Sequence, residues 1–166
     1  ASWHEAIVSH NLLQKNSVHS AKRMASTLRK RVEPMGQDFW TALLQVSDDL
    51  AKQMLLLATI CQSPVLGDFM ATVVSDARRM YRESLRSDDW QEFILSRQRV
   101  VDGLEQFSAS SIQKMGNNVF KILADVGYLE SGRSRKLQNL YLLPEVREWS
   151  MRLGCPKAYE AMESAR

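Results

Sequence analysis

Two cysteines and three histidines are too few and too scattered to build a metal framework. Cys61 and Cys155 belong to no CxxC pair, and His4, His10 and His19 all lie near the N-terminus, remote from both. No zinc-ligand spacing results, so neither a structural metal nor a cofactor is expected. Isolated cysteines suit a reducing cytoplasm better than a disulfide scaffold, which predicts a cytoplasmic protein. Long apolar runs are missing as well. The longest uncharged stretch covers residues 53–67 and is interrupted by Pro64. A bilayer span needs about 20 apolar residues, so this stretch reads as a buried helix and no membrane partner is expected. Nothing near Ala1 has the basic, then apolar, then small pattern of a signal peptide. The chain does not begin with Met, which predicts missing or trimmed residues before Ala1.

Glycine is sparse too. Its seven copies never cluster into a phosphate-cradling loop, and neither GxSxG nor HExxH occurs. The acid pairs Asp48-Asp49 and Asp88-Asp89 sit at expected helix starts with no His, Cys or Lys partner nearby. Carboxylates there serve free N–H groups and the helix dipole better than general acid–base work. No enzyme is predicted.

What is present is ordinary globular material. Hydrophobic residues make up 45% and charged residues 25%, and eight Met and four Trp supply core volume without staples. The formal charge of +3 says little, but its distribution says more. Residues 11–33 carry six bases (Lys15, Lys22, Arg23, Arg29, Lys30, Arg31) against Glu33 alone. Residues 106–143 carry five (Lys114, Lys121, Arg133, Arg135, Lys136) against Asp125 and Glu130, while the segment between is net negative. Two basic segments on a near-neutral body predict two anion-facing edges.

Helical periodicity dominates, so the fold class is all-α: a compact multi-helix domain spanning 1–166. Residues 3–10 suit a short amphipathic helix with Trp3, Ala6 and Ile7 on one side. Ser17 caps a second helix running to Glu33, which Pro34 and Gly36 close. Together they make a helix-turn-helix-like unit over 3–33. The central core spans 37–104. Asp38 can cap a short helix through Val46, and Asp48 caps one over 50–62 with Leu50, Met54, Leu57 and Cys61 in a stripe that Leu55, Leu56 and Ile60 widen. Ser63-Pro64 restarts a helix toward Arg86, and Ser87 to Trp90 opens another ending near Val101 or Leu104. A winged-helix-like unit is expected over 108–153. It contains a helix to Val126 stopped by Gly127, and residues 128–143 are open to a short β-hairpin between Tyr128-Leu129 and the stretch 140–143. Pro144 and Pro156 start the last two helices.

On the second helix Val18, Ala21, Ala25, Leu28 and Val32 recur at helical spacing and are expected to face the core. That turns His19, Arg23, Ser26, Thr27 and Lys30 outward, with Lys22 and Arg29 at the boundary. Arg and Ser/Thr can read base edges, and Lys and Arg neutralise phosphates. The loop Gly132-Arg133-Ser134-Arg135-Lys136 has the composition of a basic wing that reaches a backbone or minor groove. The stripe Arg78, Arg79, Arg82 and Arg86 is balanced by Asp76, Glu83 and Asp88 and reads as a salt-bridged face. Trp40, Trp90 and Trp149 occupy apolar helix positions and read as core, so stacking aromatics on the basic faces are missing.

The runs Asn11-Leu12-Leu13-Gln14-Lys15, Ala21-Lys22-Arg23, Leu66-Gly67-Asp68-Phe69, Val119-Phe120, Ile122-Leu123-Ala124, Gly127-Tyr128-Leu129, Arg135-Lys136-Leu137-Gln138 and Pro144-Glu145-Val146 resemble, in order, those of the BrxA family. This is a core component of bacterial phage-exclusion (BREX) systems. The resemblance implies a bacterial cytoplasmic protein working beside other BREX components, among them a methyltransferase and an ATPase, with no catalytic motif to carry over. With the basic segments it points to double-stranded DNA held mainly by its phosphates with low sequence specificity. Lys15, His19, Lys22, Arg23, Ser26, Thr27, Arg29, Lys30, Arg31, Arg133, Arg135 and Lys136 are the candidate contacts. An adaptor that docks other BREX subunits and an antitermination-like RNA-binding module are the alternatives. No heptad seam demands a second copy, so a monomer is expected.

Overall fold

The computed structural model describes residues 5–11, 13–14, 16–100, 103 and 106–166, and for Leu28, Arg31 and Val32 the backbone alone. Trp3, Lys15, Val101 and Leu104, and the side chains of Leu28, Arg31 and Val32, lie outside the described residues. The all-α expectation holds, and the chain divides into two compact units, Ala1–Gln45 and Val46–Arg166.

In the first unit a π-helical turn, Glu5–Ser9, precedes α1, Val18–Val32. The Ser17 hydroxyl accepts from the Ser20 amide at 3.2 Å, satisfying a donor the helix itself leaves open. Ile7, Ala21 and Ala25 are buried together, with Val8 and Leu13 against them. Val18, expected in this core, is 52% exposed; it occupies the first turn, beyond the reach of that small cluster. Gly36, at φ 80°, lets the chain turn from the 3₁₀ segment Glu33–Met35 into α2, Gln37–Leu43.

The second unit is organised by α3, Asp48–Gln62, which packs against four other helices. Ser47 rather than Asp48 is its cap, and Leu50, Met54, Leu56, Leu57 and Ile60 are buried while Leu55 faces out. At Ser63 the chain bends by 109° into α4, Pro64–Phe69, which runs through a π turn, Met70–Val74, into α5, Ser75–Arg79. No single described helix is long and apolar enough to cross a membrane. Helix α6, Asp89–Arg97, and α7, Ala109–Val126, follow, then α8, Pro144–Arg152, and α9, Pro156–Ser164. Phe69 sits at the centre, with its ring edge-on to Trp90, Phe93 and Phe120 at 5.1, 5.4 and 6.4 Å, so α4, α6 and α7 share one aromatic cluster.

Three expectations change here. The helix expected to reach Arg86 stops at Arg79, and Tyr81 adopts a left-handed conformation. Extended backbone follows because Leu85 N–H donates to Arg135 C=O while Glu83 C=O accepts from Leu137 N–H. The hairpin also forms differently. Leu129 pairs with Leu137 and Ser84 with Lys136, each as a single antiparallel bridge, so segment 135–138 lies between 128–130 and 83–85. The stretch 140–143 is unavailable for pairing. The buried Gln53 amide donates to Tyr141 C=O at 3.0 Å and accepts from Leu143 N–H at 2.9 Å, which fastens that stretch to α3.

The third change concerns the cysteines. Cys61 and Cys155, 94 residues apart, form a disulfide. A side chain at Gly67 would meet Ile60 at 2.7 Å and Ala161 at 3.7 Å. The bare backbone therefore lets α3, α4 and α9 close up, leaving the two cysteine Cα atoms 5.9 Å apart.

Replacing both cysteines with Ser is expected to cost about 3–5 kcal/mol, since the bond closes a long loop in the unfolded chain. Calorimetry with and without reductant checks this; an unchanged Tm would show that the bond contributes nothing. Gly116 faces Trp90 so closely that an added Cβ would lie 2.8 Å from Cδ1. Gly116→Ala is expected to destabilise by about 1–2 kcal/mol, overpacking outweighing the helix-propensity gain. A urea midpoint measures the balance.

Candidate nucleic-acid interface

Helix α7 is two-faced. Ile112, Gly116, Val119, Phe120 and Leu123 are buried, and Gln113, Lys114, Asn117, Asn118 and Lys121 are exposed. The Ser108 hydroxyl accepts from Ser111 N–H to begin the helix, and Gly127 at φ 106° ends it. Two bases and three amides thus share a continuous strip of about two and a half turns. This strip is missing from the residues expected to bind, although its spacing of one, four, five and eight is legible in the sequence.

Immediately after α7 comes the basic loop. The Ser131 hydroxyl accepts from Ser134 N–H, and its carbonyl accepts from Arg135 N–H, both at 2.9 Å, which folds the loop into a tight turn. Gly132 lies against the α7 backbone at Lys121. The three expected wing cations separate. Arg133 and Lys136 are exposed. Arg135, at φ 52°, turns inward to donate from Nε to Leu85 C=O at 3.3 Å and lies over the Phe120 ring at 5.6 Å. Its charge pins segment 83–85 to α7 and stands back from solvent.

In the first unit His19, Lys22, Arg23, Ser26, Thr27, Arg29 and Lys30 are all exposed on α1. Thr27 donates its hydroxyl to Arg23 C=O at 3.0 Å, and Arg29 is paired with Glu33. Lys22, Arg23 and Lys30 make no ion pair among the described residues.

The expected salt-bridged stripe holds for three arginines. Arg79 meets Asp76. Arg82 and Arg86 converge on Asp89, which is 5% exposed and also accepts from Arg86 N–H at 2.7 Å. Asp89 is thus an ion-pair hub rather than a helix cap. Asp88, Glu92 and Asp89 hold the Arg86 guanidinium above its ordinary pKa. Arg78 differs, because it donates to the carbonyls of Ala165 and Gln138 and meets no carboxylate among the described residues. Burial pushes its pKa down. No group of three or more His, Cys, Asp or Glu among the described residues is placed to hold a metal ion.

Residues 1–154 match the BrxA family profile. The chain is 42% identical to the BREX protein BrxA of Escherichia coli O9:H4 (strain HS) over 99% of its length and 78% of that protein's. It is 32% identical to the BREX protein BrxA of Paramagnetospirillum magneticum over 87% of its length and 72% of that protein's. Its fold is similar to the crystal structure of an uncharacterized protein from Magnetospirillum magneticum, with TM-score 0.83, 28% identity, and 96% and 82% of the two chains covered.

Tyr128, just beyond α7, donates its buried hydroxyl to Met162 C=O at 2.8 Å and so ties the loop to α9. Burial, opposed by Arg78 and Arg166, raises its pKa well above the ordinary 10. The folded state keeps this proton where the unfolded state releases it, so stability is complete below pH 10 and falls as pH rises beyond that. Tyr128→Phe is expected to cost about 1–2 kcal/mol at neutral pH by orphaning the carbonyl. It should also flatten the alkaline limb of the stability profile, measured by denaturant titration at rising pH.

Proposed function

Because the chain belongs to the BrxA family, and through it to BREX phage defence, we propose that it is a non-enzymatic, double-stranded-DNA-holding component of that system. One observation carries this reading. In the second unit a helix (α4–α5), segment 83–85, α6, α7, segment 128–130, a basic loop and segment 135–138 follow one another, with the last segment between the other two. This is the order of a winged helix, in which the second helix of the pair enters the major groove and the loop reaches the flanking backbone.

The side chains suit that assignment. Asn117, Asn118 and Gln113 can pair bidentately with adenine, Lys114 and Lys121 meet phosphate or guanine, and Arg133 and Lys136 extend the cationic edge. The α1 cations Lys22, Arg23 and Lys30 form a second basic surface, on the other unit. Only the α7 face reaches base edges and the remaining cations meet phosphates, so phosphate neutralisation should dominate affinity and sequence selectivity should be weak.

An anisotropy titration of duplex DNA at several salt concentrations tests the proposal. If about six phosphates are neutralised, log K should fall against log salt with a slope near −5. Arg23→Ala with Lys30→Ala should weaken every duplex alike and flatten the slope by about 2, whereas Asn117→Ala should act unevenly across sequences. Negligible binding at all salts would transfer the basic faces to protein partners, with pull-downs of other BREX components surviving nuclease. A preference for structured RNA would favour the RNA-binding alternative.

A further inference from the structure

Where α5 ends, the chain spends a left-handed conformation on a tyrosine. Tyr81 has φ 54° because it ends the helix in a left-handed cap, its N–H donating to Arg78 C=O at 3.0 Å and the Arg82 N–H to Ala77 C=O at 2.9 Å, and its ring packs on little, for the residue is 93% exposed. Tyr81 stands at the rim of a groove of about 520 Å³ between the end of α5 and segment 136–139. Arg78 lines this groove and is half-buried, its guanidinium held by two backbone carbonyls with its charge unmatched by any carboxylate among the described residues. Lys136, exposed and without an ion pair among the described residues, lines it as well. Arg82 and Arg166 also line it, but their charges are already met by Asp89 and Glu163. Glu83 is the one acidic side chain in the lining among the described residues, and Asn139 offers an amide with both a donor and an acceptor. Two cations unmatched by a carboxylate among the described residues, an amide and an exposed aromatic ring are the ingredients with which proteins hold an unpaired nucleotide.

We propose that this groove receives an unpaired nucleotide of a DNA strand, its base stacked on Tyr81 and its phosphate between Arg78 and Lys136. The source follows from continuity, because Lys136 belongs both to the groove and to the basic loop that flanks duplex in the proposed function. A strand leaving the duplex beside that loop reaches Tyr81 next. The proposal rests on the duplex reading for that route alone. It also supplies the stacking aromatic that the sequence did not disclose: Tyr81 lies in a stretch with the periodicity of helix, and only the break at Arg79 places it on a basic surface.

The test uses the full chain and four fluorescent DNAs: a blunt duplex, the same duplex with a short oligothymidine overhang, the same overhang lacking its bases, and free oligothymidine. The overhang duplex is expected to bind about tenfold more tightly than the blunt one, one stacked base accounting for the gain. Tyr81→Ala should erase that gain, Tyr81→Phe should keep it, and blunt-duplex affinity should be the same in both. Equal affinity for blunt and overhang duplex overturns the proposal and leaves duplex binding intact. An equal gain from the base-free overhang reduces the groove to an anion site and overturns the stacking. A gain that survives Tyr81→Ala places the strand elsewhere and overturns it too. Tight binding of oligothymidine and overhang, lost in Tyr81→Ala, with none of the blunt duplex would keep the groove and remove the duplex reading.

Discussion

Helix α7 takes its direction from a contact that only glycine permits. At Gly116 the Trp90 ring comes to within 2.8 Å of where a side chain would begin. The indole N–H has no acceptor among the described residues, so packing alone fixes the ring. Behind it the Phe69 ring joins Trp90, Phe93 and Phe120 into one cluster. The outward direction of Gln113, Asn117 and Lys121 follows, because a helix whose inner face is settled has no freedom left in its outer one. The loop after α7 inherits the same reference through Arg135, which spans from the Phe120 ring to the Leu85 carbonyl.

The distribution of paired charge matters more than the net value of +3. Asp89 gathers Arg82 and Arg86 and removes them from competition for an outside anion. Arg29 is engaged with Glu33, and Arg135 is turned inward. Around α7 and the loop after it, Lys114, Lys121, Arg133, Lys136 and the half-buried Arg78 stay available. A long-range field from so few cations is soon screened, so contact chemistry at these positions must do the discriminating.

Much of this was legible in the sequence wherever a boundary is set locally. Ser17, Gly127, Pro144 and Pro156 mark helix ends by their own chemistry, and they stand where the sequence pattern expects them. The outward face of α1 follows from periodicity alone. Legibility fails where a distant group decides. Gln53 takes the backbone of Tyr141 and Leu143 from 88 and 90 residues away, and with it the expected hairpin partner. The pairing of 83–85 with 135–137 cuts short a helix whose apolar spacing continues to Arg86. The convergence of Cys61 and Cys155 depends on the Gly67 approach, which no linear spacing encodes. At Arg135 the residue type suggested a wing contact, whereas its left-handed backbone turned the charge inward.

The bond between Cys61 and Cys155 joins the end of α3 to the start of α9, and every element from α4 to α8 lies between those two points. Covalently, the proposed DNA-facing module is therefore a ring carried on a clasp. A cut in any one peptide bond of that ring opens it without releasing a fragment, and native termini contribute nothing to its connectivity. The module behaves as a cyclic protein grafted onto two helices, and new chain ends can be introduced within it while the original path through the clasp stays closed.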